Sequence, residues 1–232
     1  MRTSEIQRAL AQLGFRPGPL DGIWGRQTAA AVRMFQSSRG LEPDGIIGPA
    51  TLQALCPGRV IPDGLDHPGL VWLQEARRLI GTRERLGSGS NPDILDWASA
   101  QGIPYKTDDV PWCGLFVGHC ISSTLDREPL PTGLLRARSW ERFGIKSKPT
   151  PGAVMVFWRK SSESGLGHVG FNVGEDRDVY RILGGNQADS VSLAWIRKDR
   201  LVDARWPATV PPLDLQPITV AKRDETLSWN EH

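Results

Sequence analysis

Apolar residues near the start of the chain recur at helical spacing. The first stripe consists of Ile6, Ala9, Leu10 and Leu13. A second stripe consists of Ala30, Ala31, Met34 and Phe35. Gly14 and Gly40 follow the two stripes, at positions where glycine commonly ends a helix. The pattern predicts short helices around a small core.

A glycine-rich motif occurs twice in the same segment, at a period of 23 residues. The copies are Asp21-Gly22-Ile23-Trp24-Gly25 and Asp44-Gly45-Ile46-Ile47-Gly48, and each is followed by a threonine, Thr28 or Thr51. Asp-Gly pairs and the later glycine adopt positive φ at low cost. Each copy therefore predicts a turn that leads into a helix, giving three short helices in all.

The pattern beyond residue 69 changes from helical spacing to alternation. Apolar spacing predicts helices over 70–80 and 93–100 and from Cys113 onward, with a Gly- and Ser-containing loop at 87–92. The runs 152–158, 168–174 and 179–183 then read as strands, the second with a clear period of two. Helices followed by antiparallel strands predict an α+β domain in which helices pack on a sheet.

Composition marks the boundaries between these segments. Residues 56–68 contain three prolines and two glycines without periodicity, which is typical of a linker, and we expect His67 within it to be solvated. Residues 208–232 contain few apolar positions and Pro211-Pro212. We therefore predict a domain at 1–55, a linker at 56–68, a second domain at 69–207 and a C-terminal extension at 208–232.

Charge and hydropathy exclude several classes of function. The chain has 232 residues, 23% of them charged, and a net charge of only +2. No polybasic stretch indicates nucleic-acid binding, and no apolar run approaches the ~18 residues that span a bilayer. The polar start predicts a protein made in the cytoplasm without a signal peptide, and we expect a monomer without nucleic-acid partners or membrane insertion.

The cysteine and histidine patterns favour a free thiol over a metal site. Three cysteines (Cys56, Cys113, Cys120) make an odd count, which argues against a disulfide framework. The four histidines are scattered and match no zinc motif. We therefore expect no metal and no cofactor.

Cys113 is the candidate nucleophile. Pro111 disfavours helix at the residue before it, so the predicted helix starts at about Cys113. The free N–H groups and the dipole of a helix N-terminus stabilise a thiolate and lower the pKa of a cysteine. A buried structural cysteine is the alternative interpretation.

A thiolate nucleophile needs a base and a group that orients the base. His119 lies on the same predicted helix, about 9 Å farther along its axis, and is expected to be a packed residue. His168 begins a strand, and Asn186 ends the next one beside two glycines, where its amide can fix the imidazole. Gln187 is the alternative orienting residue. Tyr105 is a candidate contributor to an oxyanion hole, and Asp109 is a further accessory candidate.

The N-terminal segment resembles the peptidoglycan-binding domain of bacterial and phage cell-wall enzymes. The resemblance rests on Leu13-Gly14-Phe15, both copies of the glycine-rich motif, Phe35-Gln36, Gly40-Leu41 and Thr51-Leu52. It implies a groove for a glycan or stem peptide. We take Trp24, Asp21 and Asp44 as candidate substrate-binding residues.

Residues 70–207 resemble the cysteine, histidine-dependent amidohydrolase/peptidase group of cell-wall hydrolases, related to NlpC-type peptidases. The resemblance rests on segments around Arg78-Leu79-Ile80-Gly81, Asp109–Val117, Gly167–Phe171, Leu183–Gln187 and Arg205-Trp206-Pro207. It implies a papain-like domain with Cys113 as nucleophile, His168 as base and then acid, and Asn186 as the orienting residue. We also take Trp112 as a candidate substrate-binding residue. Many members carry a glutamate where this chain has Gly184, which leaves the third role open.

The sequence thus predicts an endolysin-type hydrolase that cleaves an amide bond in the stem peptide of bacterial peptidoglycan or at its junction with muramic acid. We expect it to reach the wall after release from the cytoplasm. The alternatives are an inactive wall-binding protein and an injected antibacterial amidase.

Overall fold

The computed structural model describes residues 2–58, 64–85 and 89–222. The predicted α+β class is confirmed: three N-terminal helices precede three further helices that pack on an antiparallel sheet. Four stretches lie outside the described residues: Met1, residues 59–63, residues 86–88 and residues 223–232. They include part of the predicted linker, the start of the predicted loop and the end of the C-terminal extension.

The N-terminal helices are α1 (Thr3–Gln12), α2 (Arg26–Ser38) and α3 (Pro49–Leu55). Of the predicted stripe on α2, Ala31 and Phe35 are buried, whereas Ala30 and Met34 are exposed. The buried face also carries Thr28 and Val32, so it is rotated relative to the predicted stripe. Phe35 packs edge-on against Phe15, with ring centroids 5.7 Å apart.

The later helices are α4 (Val71–Arg78), α5 (Pro92–Ala100) and α6 (Cys113–Thr124). These match the predicted helices within two residues, although Ile80 falls outside α4 and is exposed. The indole of Trp72 donates a hydrogen bond of 2.9 Å to the carbonyl of Gly152, which ties α4 to the sheet. Phe116 of α6 packs against Phe171, with ring centroids 6.1 Å apart.

The sheet has six antiparallel strands in the order β1-β6-β2-β3-β4-β5. The strands are β1 (Ile145–Lys146), β2 (Val154–Trp158), β3 (Gly167–Glu175), β4 (Val179–Gly184), β5 (Ser192–Arg197) and β6 (Leu201–Trp206). The sequence pattern predicts β2, β3 and β4, whose residues are mostly buried. It does not reveal the short β1, nor β5 and β6, whose mixed exposure obscures the period of two.

The C-terminal extension and the linker pack onto the rest of the chain. Glu128 accepts hydrogen bonds from the backbone N–H groups of Ala208 and Thr209, at 2.9 and 2.8 Å. Farther on, Ile218 and Val220 exchange backbone hydrogen bonds with Glu175 at the end of β3. The extension as far as residue 222 is thus anchored at two places.

His67 in the linker contradicts the expectation of a solvated side chain. It is buried, and its Nδ1 accepts a hydrogen bond of 3.0 Å from the N–H of Gly69. This contact closes the turn that leads into α4, which explains why a linker residue is not solvated.

No helix within the described ranges has the length and apolar character needed to cross a membrane.

Candidate active site

Cys113 is the first residue of α6 and is only 4% exposed. The first hydrogen bond of the helix ladder runs from the N–H of Phe116 to the carbonyl of Trp112, at 2.9 Å. The N–H groups of the first turn therefore precede the ladder and form the positive end of the helix dipole. The predicted position of the cysteine at a helix N-terminus is confirmed.

Gly114 explains how this helix start fits into the fold. A Cβ at this position would lie 1.9 Å from the carbonyl oxygen of Leu134. Only glycine permits the loop around residue 134 to approach the first turn so closely. The carbonyl of Leu134 thereby packs directly against the backbone next to the thiol.

His168 lies on β3, which is hydrogen-bonded on both sides by β2 and β4. The imidazole is 1% exposed, and its Nε2 is 3.0 Å from the Oε1 of Gln187. The amide nitrogen of Gln187 donates a hydrogen bond of 2.5 Å to the carbonyl of Ser192. Exchanging the amide nitrogen and oxygen would lose this hydrogen bond. The oxygen of Gln187 therefore faces the imidazole.

This arrangement fixes the tautomer of the neutral imidazole. Since the amide oxygen of Gln187 is only an acceptor, the Nε2 of His168 carries the proton in this hydrogen bond. Nδ1 is then the basic nitrogen, the one able to accept a proton from a thiol. The geometry matches the requirement for a general base with an orienting partner.

Asn186 is not the residue that orients the imidazole, and that prediction is wrong. Its Oδ1 accepts the backbone N–H of Trp112 at 3.3 Å, and its Nδ2 donates to Glu84 at 2.7 Å. Asn186 has a φ of +57°, and this left-handed turn residue directs its side chain towards α6. Gln187, the alternative in the sequence analysis, contacts His168 instead.

The turn between β4 and β5 connects both halves of the site. A Cβ on Gly184 would lie 2.9 Å from the Nε2 of His168 and 2.9 Å from the Oε1 of Gln187. A Cβ on Gly185 would lie 2.6 Å from both Trp112 and Phe116 at the start of α6. A glutamate at position 184 would collide with the histidine and glutamine, so its replacement by glycine accords with the use of Gln187.

The same turn has an unusual backbone. Asn186, Ala188 and Asp189 all have positive φ, at 57°, 50° and 56°. Left-handed conformations at residues other than glycine cost about 1 kcal/mol or more each and often accompany functional sites. Hydrogen bonds from Ser190 and Ser192 to the carbonyl of Gln187 hold the turn closed.

Glu84 lies at the candidate site, although the sequence pattern does not single it out. Its Oε1 accepts hydrogen bonds from the indole of Trp112 at 2.6 Å and from Asn186 at 2.7 Å. Burial raises the pKa of Glu84, the hydrogen bond from Trp112 lowers it, and the nearby carboxylates of Asp189 and Asp108 raise it further. A single carboxylate in a polar stretch carries no sequence signal for such a contact.

The accessory candidates occupy the loop before Cys113. The hydroxyl of Tyr105 donates to the carbonyl of Val110 at 2.5 Å, and Asp109 accepts a hydrogen bond from Thr107 at 2.8 Å. Burial, then the charges of Asp108 and Glu84, raise the pKa of Tyr105, with a smaller contribution from Cys113. Both side chains thus shape the loop, and an oxyanion role for Tyr105 stays a prediction.

Asp108 helps to position this loop, although the sequence analysis gave it no role. It is buried, and one carboxylate oxygen accepts the backbone N–H groups of Arg85 and Asn91, at 3.1 and 2.7 Å. It thereby connects the loop before the cysteine to the segment that carries Glu84.

The two tryptophans predicted to bind substrate are buried. Trp112 packs against Trp97, with ring centroids 6.1 Å apart, and its indole nitrogen is occupied by Glu84. Trp24 belongs to the hydrophobic core of the N-terminal helices. Neither ring is available to a polymer in this structure, so these two predictions are contradicted.

Asp21 and Asp44 stabilise their own turns. Each carboxylate accepts the backbone N–H two residues ahead, that of Ile23 at 2.9 Å or Ile46 at 2.8 Å. Each also accepts a hydrogen bond from a buried glutamine, Gln7 or Gln36. These contacts give both aspartates a structural role and leave substrate binding by them a prediction.

His119 is packed, as predicted. Its ring stacks on Trp97 at a centroid distance of 5.0 Å, and its Nε2 lies 3.3 Å from Glu75. All three cysteines are free thiols. Among the residues that the structure describes, no group of three or more His, Cys, Asp or Glu side chains is arranged to hold a metal ion.

A comparison with known protein families identifies the N-terminal segment. Residues 2–55 match a family described as "Putative peptidoglycan binding domain". This match confirms the resemblance that the glycine-rich repeat carries. The predicted hydrolase family of the remaining residues stays a prediction.

Two curated relatives share short segments with this chain. An uncharacterized protein in the bpoA1 3' region of Kitasatospora aureofaciens is 47% identical over 47 residues, 20% of this chain and 37% of that protein. N-acetylmuramoyl-L-alanine amidase CwlM of Mycobacterium tuberculosis is 46% identical over 50 residues, 22% of this chain and 12% of that protein. The matches thus span well under half the length of either relative. No solved structure matches the chain significantly.

Proposed function

We propose that this chain is a peptidoglycan hydrolase that cleaves an amide bond with Cys113 as the nucleophile. The observation that carries the proposal is the hydrogen bond of 3.0 Å between His168 and Gln187, next to the turn that also contacts the helix start bearing Cys113. The family match of residues 2–55 and the partial similarity to an amidase support peptidoglycan as the substrate.

The proposed reaction proceeds in two steps. The Sγ of Cys113 attacks the carbonyl carbon of the amide while its proton passes to the Nδ1 of His168. The backbone N–H of Cys113 stabilises the oxyanion, and the imidazolium then protonates the leaving amine. A thioester remains on the cysteine, and water activated by the imidazole hydrolyses it, which regenerates the thiol and releases a carboxylate.

Gln187 is the orienting residue of this proposal. It fixes the imidazole ring so that Nδ1 is the basic nitrogen, and its neutral amide stabilises the imidazolium by a hydrogen bond without a full negative charge. The N-terminal helices bind the polymer and raise the local concentration of the catalytic domain at its substrate. Either the stem peptide or its junction with muramic acid supplies the amide.

Mass spectrometry of fragments released from purified peptidoglycan tests the proposal. We expect new amino termini with the wild type and with Cys56→Ser, a matched change at a half-buried thiol outside the site. Cys113→Ala is expected to release none while it still sediments with the wall. Release by Cys113→Ala would refute the nucleophile, and binding without release by every variant would favour a wall-binding protein without activity.

A further inference from the structure

Glu84 contacts the site from outside the reaction described above. Its Oε1 receives the indole N–H of Trp112 and the amide N–H of Asn186, at 2.6 and 2.7 Å. Asn186 in turn accepts the backbone N–H of Trp112 at 3.3 Å. The three residues form a closed ring of hydrogen bonds directly before Cys113.

The backbone fixes Glu84 in this position. Its N–H donates to the carbonyl of Asp189 at 2.9 Å, and the N–H of Val191 donates to the carbonyl of Thr82 at 2.8 Å. An antiparallel bridge joins Arg83 to Ser190 between these contacts. Glu84 is therefore held against the same turn that provides Asn186 and Gln187.

We propose that Glu84 and Asn186 are positioning residues, which form a bracket that holds Trp112 and so keeps Cys113 aligned with His168. The Glu84–Asn186 bracket consists of the Glu84 carboxylate, the Asn186 side chain and the two N–H groups of Trp112. This inference rests on the proposed function, because it assigns the bracket to the same nucleophile. It gives a role to a carboxylate that joins three segments distant in sequence.

The bracket acts by geometry and not by charge. The charges of Asp189 in the turn and of Asp108 and Asp109 in the preceding loop raise the pKa of Glu84, so the acidic groups near it oppose its ionisation. A further negative charge near a thiolate disfavours it and raises the pKa of the thiol. If charge alone mattered, removal of Glu84 would assist the nucleophile. The hydrogen bonds to Trp112 and Asn186 are what the site gains.

Four variants separate these possibilities. Glu84→Ala removes the acceptor, and Glu84→Gln keeps an acceptor oxygen for the same two donors while it removes the charge. Asn186→Gly removes the side chain and suits the positive φ of this position. Glu163→Gln, a change at an exposed carboxylate, is the control.

Two readouts are compared for each variant. One is the rate of alkylation of Cys113 by iodoacetamide across pH, followed by peptide mapping, which requires no substrate. We expect Glu84→Ala and Asn186→Gly to move the alkylation profile to higher pH, and Glu84→Gln to leave it at the wild-type position or lower. The other is kcat and KM on solubilised peptidoglycan fragments, where Glu84→Ala lowers kcat about 10- to 100-fold at unchanged KM and Glu84→Gln stays within about 3-fold.

The proposal is overturned if Glu84→Gln is as damaging as Glu84→Ala, or if Glu84→Ala leaves both readouts unchanged. Should Glu84→Ala fail to fold, Trp112→Phe tests the same contact, because it removes the indole N–H and leaves a smaller aromatic ring in the core. Its kcat is expected to fall by a smaller factor than that expected for Glu84→Ala. A wild type that releases no fragments, but whose Cys113 alkylation responds to Glu84→Ala, would refute the hydrolase and retain the bracket.

Discussion

Two buried glutamines of this chain, Gln36 in the N-terminal helices and Gln187 in the site, show how one side chain serves two purposes. Their exposed fractions are 1% and 2%. Gln36 donates to Asp44, Thr51 and the carbonyl of Ile46, and its oxygen accepts the N–H of Gly45 at 2.8 Å. Every contact lies within 15 residues along the chain.

Gln187 is anchored in a similar way through its nitrogen, which donates to the carbonyl of Ser192. Its oxygen, however, faces the imidazole of His168, 19 residues earlier in the chain. Gln36 therefore contacts only groups of its own helical segment, whereas Gln187 contacts an imidazole, which can gain and lose a proton near neutral pH. The difference teaches that burial and hydrogen bonding alone do not identify a functional amide. The chemistry of the partner does.

The largest effect is expected from Gln187→Ala. Loss of the hydrogen bond to His168 frees the imidazole to rotate and to adopt the other tautomer, so kcat should fall about 100-fold with little change in KM. Initial rates on solubilised peptidoglycan fragments measure it. Gln36→Ala is the matched control and should leave these rates unchanged. Equal losses of rate in Gln187→Ala and Gln36→Ala would show that Gln187 has no specific role in orienting His168.

Gln36→Ala is expected to act on stability. It leaves the half-buried carboxylate of Asp44 and the buried N–H of Gly45 without their glutamine partner, at a cost of about 2 kcal/mol in the free energy of unfolding of the N-terminal helices. Urea unfolding followed by tryptophan fluorescence measures this loss, together with the amount of protein that sediments with the wall. A full loss of activity on soluble fragments would instead make Gln36 part of the site.

A change of pH distinguishes these amides from a buried carboxylate. Burial would raise the pKa of Glu75, but hydrogen bonds from Arg78 and His119 outweigh it and lower that pKa from 4.5 to about 2. A lowered pKa contributes stability above pH 4.5 that is lost as the pH falls towards 2. We expect the free energy of unfolding of Glu75→Gln at pH 6 to be about 1–2 kcal/mol lower than that of the wild type.

The difference between Glu75→Gln and the wild type should shrink as the pH is lowered from 4.5 to 2. Urea midpoints across this range measure it. A glutamine side chain does not titrate, so Gln36 itself contributes no such change with pH. A Glu75→Gln difference that does not change with pH would show that packing, and not the charge, accounts for its effect.

The smallest effect is expected from Gln7→Ala. Gln7 has the same partners in the first copy of the repeat, but its nitrogen contacts are 3.0–3.3 Å, compared with 2.6–3.0 Å for Gln36. Longer hydrogen bonds are weaker, so the loss in unfolding free energy should be about 1 kcal/mol. Urea unfolding of both variants side by side gives the comparison, which fails if Gln7→Ala is the more destabilising of the two.

The sequence allowed the class of the fold to be predicted, together with the helix and the strand that carry Cys113 and His168, because these depend on local pattern. Helical spacing located α6 and its first residue, Cys113, and the period of two located the strand that bears His168. The repeat indicated the N-terminal domain, which the family match confirms.

What the sequence did not reveal depends on contacts between distant segments. Asn186 and Gln187 are adjacent, and only the left-handed turn decides which of them reaches the histidine. Glu84 joins the site across 102 residues through its hydrogen bond with Asn186, and no local pattern carries that information. The tryptophans were misassigned because a large ring in the core and one at a binding surface look alike in a sequence.

The anchored C-terminal extension has a consequence for engineering. Ala208 and Thr209 at its start donate to Glu128, and Ile218 and Val220 form backbone hydrogen bonds with Glu175 at the end of β3. The side chain of Ile218 also lies 3.0 Å from the position that a Cβ would take on Gly64 of the linker. A chain cut after Trp206 would lack the groups that donate hydrogen bonds to Glu128 and the residue that packs against Gly64 of the linker. A chimera that exchanges the N-terminal helices should therefore take the linker and the C-terminal extension from the same parent protein.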